Sequence, residues 1–337
     1  MLLHKKKYLY LDWNVIQYMK SHRKNGSEID EYFSAKIMEL LKKGKYIIPY
    51  SEGHIKDVAN KYKSEYRDIV LKELKFFSRL NKSICLGKSC SSEKLSYEIK
   101  DMKEFFDGYI SQPKNELSIS DVYNADIHMN VDLDSLDQQH PLRRLAEKNC
   151  NITPYDMAEF LVNLYREIFS SSEEYKRLRN YPPNVDWQNV DWQKIRETEY
   201  RRKLEHHLSP FLNTMQYDNK DQLEKCWKDV CEKFFSLNCE CPTQEQLLTQ
   251  GYVLLDFHPL FRERLKKNKN TLDNIIRDGN HIYYASEAEY FISEDKNTRK
   301  KTEFIYKAFH IATQVVSMEE FVKKIEEIEC NRGPLCL

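Results

Sequence analysis

Tyr8-Leu9-Tyr10-Leu11-Asp12-Trp13-Asn14-Val15-Ile16 decides how the rest of the chain is read. The apolar and aromatic residues 8–11 predict a short buried strand, and the carboxylate that follows stands where the chain turns into a helix. In an open parallel sheet, ligands bind just outside the carboxyl ends of the strands, so an aspartate at that position faces the ligand side. Asp12 is therefore the first candidate functional residue. An aspartate there is also a good helix N-cap, and the residues around Asp12 do not by themselves separate the two roles.

Bulk properties narrow the class. A chain of 337 residues is long enough to bury a substantial core. Mean hydropathy of −0.73 and 31% charged residues argue against a membrane protein, and no apolar run has the length of a bilayer span. The first residues run from lysines straight into the strand, without an apolar signal region, so the expected location is cytoplasmic. Nine scattered cysteines, an odd number, fit reduced thiols better than a disulfide framework. Basic and acidic residues balance at 53 each, so any attraction for a polyanion has to come from local patches.

Working outward from Asp12, residues 14–20 predict a short helix and 30–43 an amphipathic one, with Phe33, Ile37, Leu40 and Leu41 on one stripe. Residues 46–50 read as a second strand with Pro49 at its end, and Ser51 as the cap of a helix over 52–62. Strand, helix, strand and helix in that order predict parallel neighbours. From about residue 63 to 250 helical periodicity prevails, with helices expected over 69–80, 95–109, 155–170, 195–208 and 221–235. Two interruptions break it: an acidic loop over 111–140, and residues 181–193, where Val185-Asp186-Trp187-Gln188 is echoed by Val190-Asp191-Trp192-Gln193. Thr243 suits the cap of a further helix. Residues 272–289 then predict a helix, 290–293 a strand, 302–309 a helix, 313–316 a strand and 318–329 a last helix capped by Ser317. The expected organisation is an α/β core split between residues 1–80 and 250–337, with a helical insertion over 81–249.

Four acids recur at this architecture's functional edge. Asp57 lies on the helix after the second strand. Asp278 and His281 share one face of the helix from residue 272, and Asp295 follows the strand that ends in Phe291-Ile292-Ser293. A parallel sheet brings Asp12, Asp57, Asp278 and Asp295 to one edge. Like charges are costly to gather without a cation, and carboxylate oxygens are the ligands Mg2+ or Mn2+ takes. One or two such ions can lower the pKa of a water and stabilise charge on a phosphorus in transit.

On these residues the chain resembles the PIN-like nucleases. Asp12-Trp13-Asn14 is similar to the family's first motif, an Asp ending strand one with a small or polar residue two positions on. Ser51-Glu52-Gly53-His54-Ile55-Lys56-Asp57 is similar to the second, a Ser and then an acid on the following helix. Asp278-Gly279-Asn280-His281-Ile282-Tyr283-Tyr284-Ala285 is similar to the third, and Ser293-Glu294-Asp295 to the fourth. The family's second acid is most often Glu, which leaves Asp57 and Glu52 as rivals. His281 stands where some members hold their acid. The resemblance covers roughly residues 5–80 and 250–330. It implies a doubly wound α/β/α fold and metal-dependent hydrolysis of phosphodiesters, RNA ahead of single-stranded DNA. Asp12, Asp57, Asp278 and Asp295 would be the metal ligands, with Asn14, Ser51, Glu52 and His281 in support. It also permits a role as a toxin or in defence against phage.

Two basic runs flank the last acids: Arg262, Arg264, Lys266, Lys267 and Lys269 before the Asp278 helix, and Lys296, Arg299, Lys300 and Lys301 after Asp295. Both are candidates for holding phosphates without reading sequence. The competing class is a non-catalytic adaptor that keeps the fold and binds a protein partner, or itself, through the insertion. A haloacid-dehalogenase phosphatase ranks lower, because its second Asp is replaced by Asn14. A dinucleotide enzyme ranks lower still, since no Gly-x-Gly-x-x-Gly follows a strand.

Overall fold

The computed structural model describes residues 7–24, 26–60, 62–88, 94–111, 129–130, 147, 151–152, 210–211, 213–214, 217–236, 241–256, 258, 260–261 and 272–331. Their fold is mixed α/β with a parallel sheet at its centre. In chain order the first elements are β1 (Leu9–Leu11), α1 (Trp13–Lys20), α2 (Ser27–Lys42), β2 (Tyr50–Ser51), α3 (Glu52–Asn60) and α4 (Arg67–Asn81). These are followed by β3 (Ile84–Lys88), β4 (Leu95–Ile99), α5 (Met102–Ser111), β5 (Met129–Asn130) and β6 (Asn151–Ile152). The later elements are α6 (Lys220–Phe235), α7 (Gln244–Leu255), α8 (Leu272–Ala285), β7 (Tyr290–Ile292), α9 (Lys296–Ala308), β8 (Gln314–Val316) and α10 (Met318–Asn331).

β1 pairs in parallel with β7, Leu9 opposite Tyr290 and Leu11 opposite Ile292, and β7 pairs in parallel with β8. On the other flank of β1, a parallel bridge joins Tyr8 to Ile47, just ahead of β2. β2 then pairs in parallel with β3, and β3 antiparallel with β4. The chain thus leaves β1 first in one direction and returns to its other side with β7. Crevices of α/β sheets open where strand order switches direction in this way.

The period-two alternation of the strands sorts their side chains to two sides. Leu9, Leu11, Tyr290, Ile292 and Val316 join Phe33, Ile37, Phe77 and Phe321 in one core, while Tyr8, Tyr10 and Phe291 join Trp227, Tyr252, Ile282 and Phe304 in the other. Strands covered on both sides explain the near-continuous apolar reading of residues 8–11. The caps follow their residues too. Thr243 and Gln246 form a reciprocal capping box at α7, and Ser317 and Glu320 exchange the equivalent bonds at α10.

The expected helix over 95–109 is a strand followed by a helix. Leu95, Tyr97 and Ile99 alternate, and the open edge of β3 gives residues 95–99 a ladder that a helix would forgo. Asp101 accepts from the Glu104 N–H at 2.9 Å where α5 begins. The region 81–249, expected to be all-helical, also holds the antiparallel pair β5–β6, within and just after the stretch expected to be a loop. Its described ends are not separate from the α/β body. Ile84, Leu86, Leu223, Trp227, Leu248 and Tyr252 share a core with Tyr10 and Phe291, because α6 and α7 lie against α8 and α9. The helices expected over 155–170 and 195–208 and the echo at 181–193 lie outside the described residues. Cys85, Cys226, Cys231, Cys241 and Cys330 are free thiols. Among the described residues no helix is long and apolar enough to cross a membrane.

Candidate functional site

Asp12 leaves β1 on the same pleat side as Tyr10, and the last rung of the β1–β7 ladder, its N–H to the Ile292 carbonyl at 2.9 Å, fixes its backbone. It occupies the N-cap position of α1, yet its side chain makes no capping hydrogen bond. Instead Oδ2 accepts from Asn14 Nδ2 at 2.9 Å and from Ser293 Oγ at 2.6 Å. Ser293, fully buried at the end of β7, is itself held by Val316 through its N–H and by the Arg299 guanidinium through its carbonyl. Asn14 Oδ1 accepts from the Glu294 N–H. The carboxylate of Asp12 is thus oriented away from helix capping by Asn14, two positions on, and by Ser293, 281 positions away.

α3 and α8 bring the remaining members of the cluster. Asp57 Oδ2 lies 2.8 Å from His281 Nε2, and ligand atoms of Asp12, Asp57 and His281 all fall within 4.8 Å of one another. Glycines allow these close approaches. A Cβ on Gly279 would meet the Thr249 carbonyl oxygen of α7 at 2.8 Å, so only glycine lets α8 settle against α7 without displacement. A Cβ on Gly53 would come within 3.1 Å of the His281 ring, which limits the room between α3 and α8.

Between Asp57 and Glu52 the structure separates the rivals. Glu52 pairs with Lys56 at 3.0 Å and faces Tyr284, whereas Asp57 points into the cluster. The phase of α3 decides this, since five positions along a helix turn a side chain well over a hundred degrees. Asp278 approaches the same edge one helical turn before His281, and its Oδ2 accepts from Thr298 Oγ1 at 3.2 Å. Asp295 is exposed and serves as the N-cap of α9, its Oδ1 accepting from the N–H groups of Asn297 and Thr298 at 2.8 and 2.9 Å. Of the four acids expected to converge, Asp12 and Asp57 do so, together with His281, while Asp278 and Asp295 lie outside that tight set.

Behind His281 runs a buried polar chain that sequence reading did not assemble. His281 Nδ1 lies 2.8 Å from Tyr10 Oη, Tyr10 Oη 2.7 Å from Ser51 Oγ, and Ser51 Oγ 3.2 Å from His54 Nδ1. His54 Nδ1 also accepts from the Ser51 N–H at 3.0 Å, so its proton resides on Nε2, which donates to the Leu11 carbonyl at 2.8 Å. Burial and the neighbouring His281 push the His54 pKa down to about 3, so this imidazole is neutral. The available signal was the pleat: Tyr10 precedes Asp12 by two positions and carries a hydroxyl on a strand otherwise built of apolar groups.

Charge is concentrated here. Burial and the neighbouring charges of Asp12, Asp57 and Asp295 push Asp278 up to about 8 against the attraction of His281. Burial likewise raises Asp12, opposed by His281 and the Ser293 hydrogen bond. Burial would raise Asp57 as well, but His281 and Arg277 outweigh it and hold the group below the usual carboxylate range. Burial disfavours the imidazolium of His281, and Asp57, Asp12 and Asp278 overcome that to lift its pKa above the ordinary histidine value. Arg277, 3.7 Å from Asp57 Oδ1 and bonded to Asn274, is the cation that sequence reading missed. It lies one turn before His281 on the same helix face.

The two basic runs fare differently from their sequence reading. Arg262, Arg264, Lys266, Lys267 and Lys269 lie outside the described residues. Of the second run, Arg299 binds the Ser293 carbonyl, Lys300 the Leu260 carbonyl, and Lys301 is buried against Asp256 at 2.9 Å. Only Lys296 of that run is described without such a bond to the protein, and it is exposed. The 3.6-residue period of α9 turns Lys301 inward and leaves its neighbours on the flank of the core.

No family model matches the chain, and comparison with curated proteins and with solved structures returns no match.

Proposed function

We propose that the chain is a PIN-like, metal-dependent endonuclease that hydrolyses phosphodiester bonds of RNA, or of single-stranded DNA, on a doubly wound α/β/α core. The observation that carries this reading is the convergence of Asp12, Asp57 and His281 within 4.8 Å, at the carboxyl edge of the sheet where strand order switches. Three oxygen or nitrogen donors at that spacing fit a divalent cation, and Asp278 adds a carboxyl group beside them. When bound, the cation supplies a water of lowered pKa and neutralises charge on the phosphoryl oxygens.

The chain's own groups do the rest. Asn14 and Ser293 hold the Asp12 carboxylate in a single orientation, as partners of metal-binding carboxylates do. Tyr10 and Asp57 fix the His281 ring from both nitrogens. Arg277 places a guanidinium beside the cluster, suited to a phosphate oxygen. The N-termini of α1, α3 and α9 open on this same edge and add positive ends that favour an anionic substrate. A part in toxin or defence systems accords with a nuclease of this kind.

Turnover of labelled RNA and single-stranded DNA with Mn2+ or Mg2+, wild type beside Asp12→Asn, tests the reading. Loss of cleavage by about 100-fold or more is expected for the variant, the scale of removing one preorganised electrostatic group. Equal rates would refute it. The second reading, a binding protein without catalysis, draws on the way His281 and Arg277 already compensate Asp57. In that case the acids form a structural ion network, and adding divalent cations would leave the thermal midpoint unchanged.

A further inference from the structure

The donor set differs from an all-carboxylate site in one respect. Of the ligand atoms that converge, one is the imidazole nitrogen of His281. Mg2+ is a hard ion that takes oxygen and dehydrates reluctantly, whereas imidazole suits Mn2+ and its heavier first-row neighbours.

The ring's environment bears on which nitrogen can bind. Nδ1 is committed to Tyr10 Oη at 2.8 Å, and the chain continues through Ser51 Oγ to His54 Nδ1, which already accepts from the Ser51 N–H. One polarity of this chain has Ser51 donating to His54, Tyr10 donating to Ser51, and His281 Nδ1–H donating to Tyr10. In that arrangement Nε2, which donates to Asp57 at 2.8 Å while the ring is charged, offers a metal-binding lone pair on loss of its single proton. Metal-binding histidines are held in the same way, with the second ring nitrogen donating to a fixed acceptor.

We propose that this centre takes a first-row transition cation, Mn2+ being the probe of choice, in preference to Mg2+, with His281 Nε2 as a direct ligand alongside Asp12 and Asp57. Tyr10 is then a positioning residue that sets the tautomer of His281. The proposal rests on the metal-site reading above and adds to it the identity of the ion and of one ligand.

The test uses the full chain, freed of metal with a chelator and titrated with Mn2+ alone, then with Mg2+ as competitor. Free Mn2+ is read by electron paramagnetic resonance, and the bound ion by electron spin echo modulation from directly coordinated nitrogen. Expected are uptake of Mn2+, nitrogen modulation in the wild-type spectrum, and no displacement until Mg2+ is in about 100-fold excess. His281→Asp, which restores an all-oxygen set, should erase the nitrogen signal and narrow the preference for Mn2+ to within about 10-fold. The wild-type spectrum decides the matter even if that variant folds poorly. Bound Mn2+ without nitrogen coupling, or ready displacement by equimolar Mg2+, overturns the proposal and leaves the metal-site reading standing. Failure to take up Mn2+ overturns both.

Discussion

Asp12 and Asp295 stand at the carboxyl ends of adjacent parallel strands, each at the N-cap position of the helix that follows, and the protein uses them differently. Asp295 is exposed and gives its side chain to the backbone of α9. Asp12 declines the equivalent role, because Ser293 and Asn14 bind its carboxylate and turn it toward Asp57 and His281. Position after a strand therefore does not make an acid functional. What distinguishes the two is a pair of fixed donors that compete with the helix end for the same oxygens.

The largest expected effect breaks that comparison directly. Asp12→Asn should lower nuclease turnover by about 100-fold or more, while Asp295→Ala leaves it within a few-fold. Steady-state cleavage of one labelled substrate by both variants checks this, and comparable losses in the two would end the distinction. Next comes Gly279→Ala, whose Cβ would strike the Thr249 carbonyl oxygen. Displacing α8 from α7 should cost about 1–3 kcal/mol in denaturant unfolding and draw Asp278 and His281 away from Asp12, with the Asp295 cap untouched.

A smaller effect belongs to Asp295 itself. Removing its cap with alanine should cost about 1 kcal/mol of stability, the usual worth of an N-cap side chain, whereas Asp295→Asn should cost little. The thermal midpoints of the two variants, measured together, separate a cap from a ligand. The last prediction is a slope. In metal-free protein the Asp278 carboxyl holds its proton up to about pH 8 in the folded chain but only to its ordinary value, near 3.8, when unfolded. Between those values the folded state binds more protons, so this group makes stability fall as pH rises. Asp278→Asn should thus raise the thermal midpoint by a margin that grows from pH 4 to pH 8. A margin that stays constant or shrinks over that range would show that the group ionises freely in the fold.

Much of this was legible in residues 8–16 and 290–295, because a buried strand that ends in an acid is a local pattern. The order of strands and helices in the first and last parts of the chain followed from periodicity and caps, as at Thr243 and Ser317. What the sequence withheld depends on distant partners. Whether Asp12 caps its helix is decided by Ser293, and the choice between Asp57 and Glu52 by the helical phase that sets one against His281 and the other against Lys56. Tyr10 read as part of a buried apolar strand, and Arg277 carried no signal until α8 was placed. Arg299, Lys300 and Lys301 looked like a phosphate patch, yet each binds the protein itself. Residues 95–99 carried both a helical and a strand-like period, and the free edge of β3 settled which one prevailed.

The pairing of β1 with β7 has a consequence for synthesis of the protein. Asp12 is made first, the serine that orients it is made 281 positions later, and His281 only shortly before that serine. Any product cut short ahead of these residues carries the first acid without its partners. The cluster can form only after every residue between Asp12 and Ser293 has been translated.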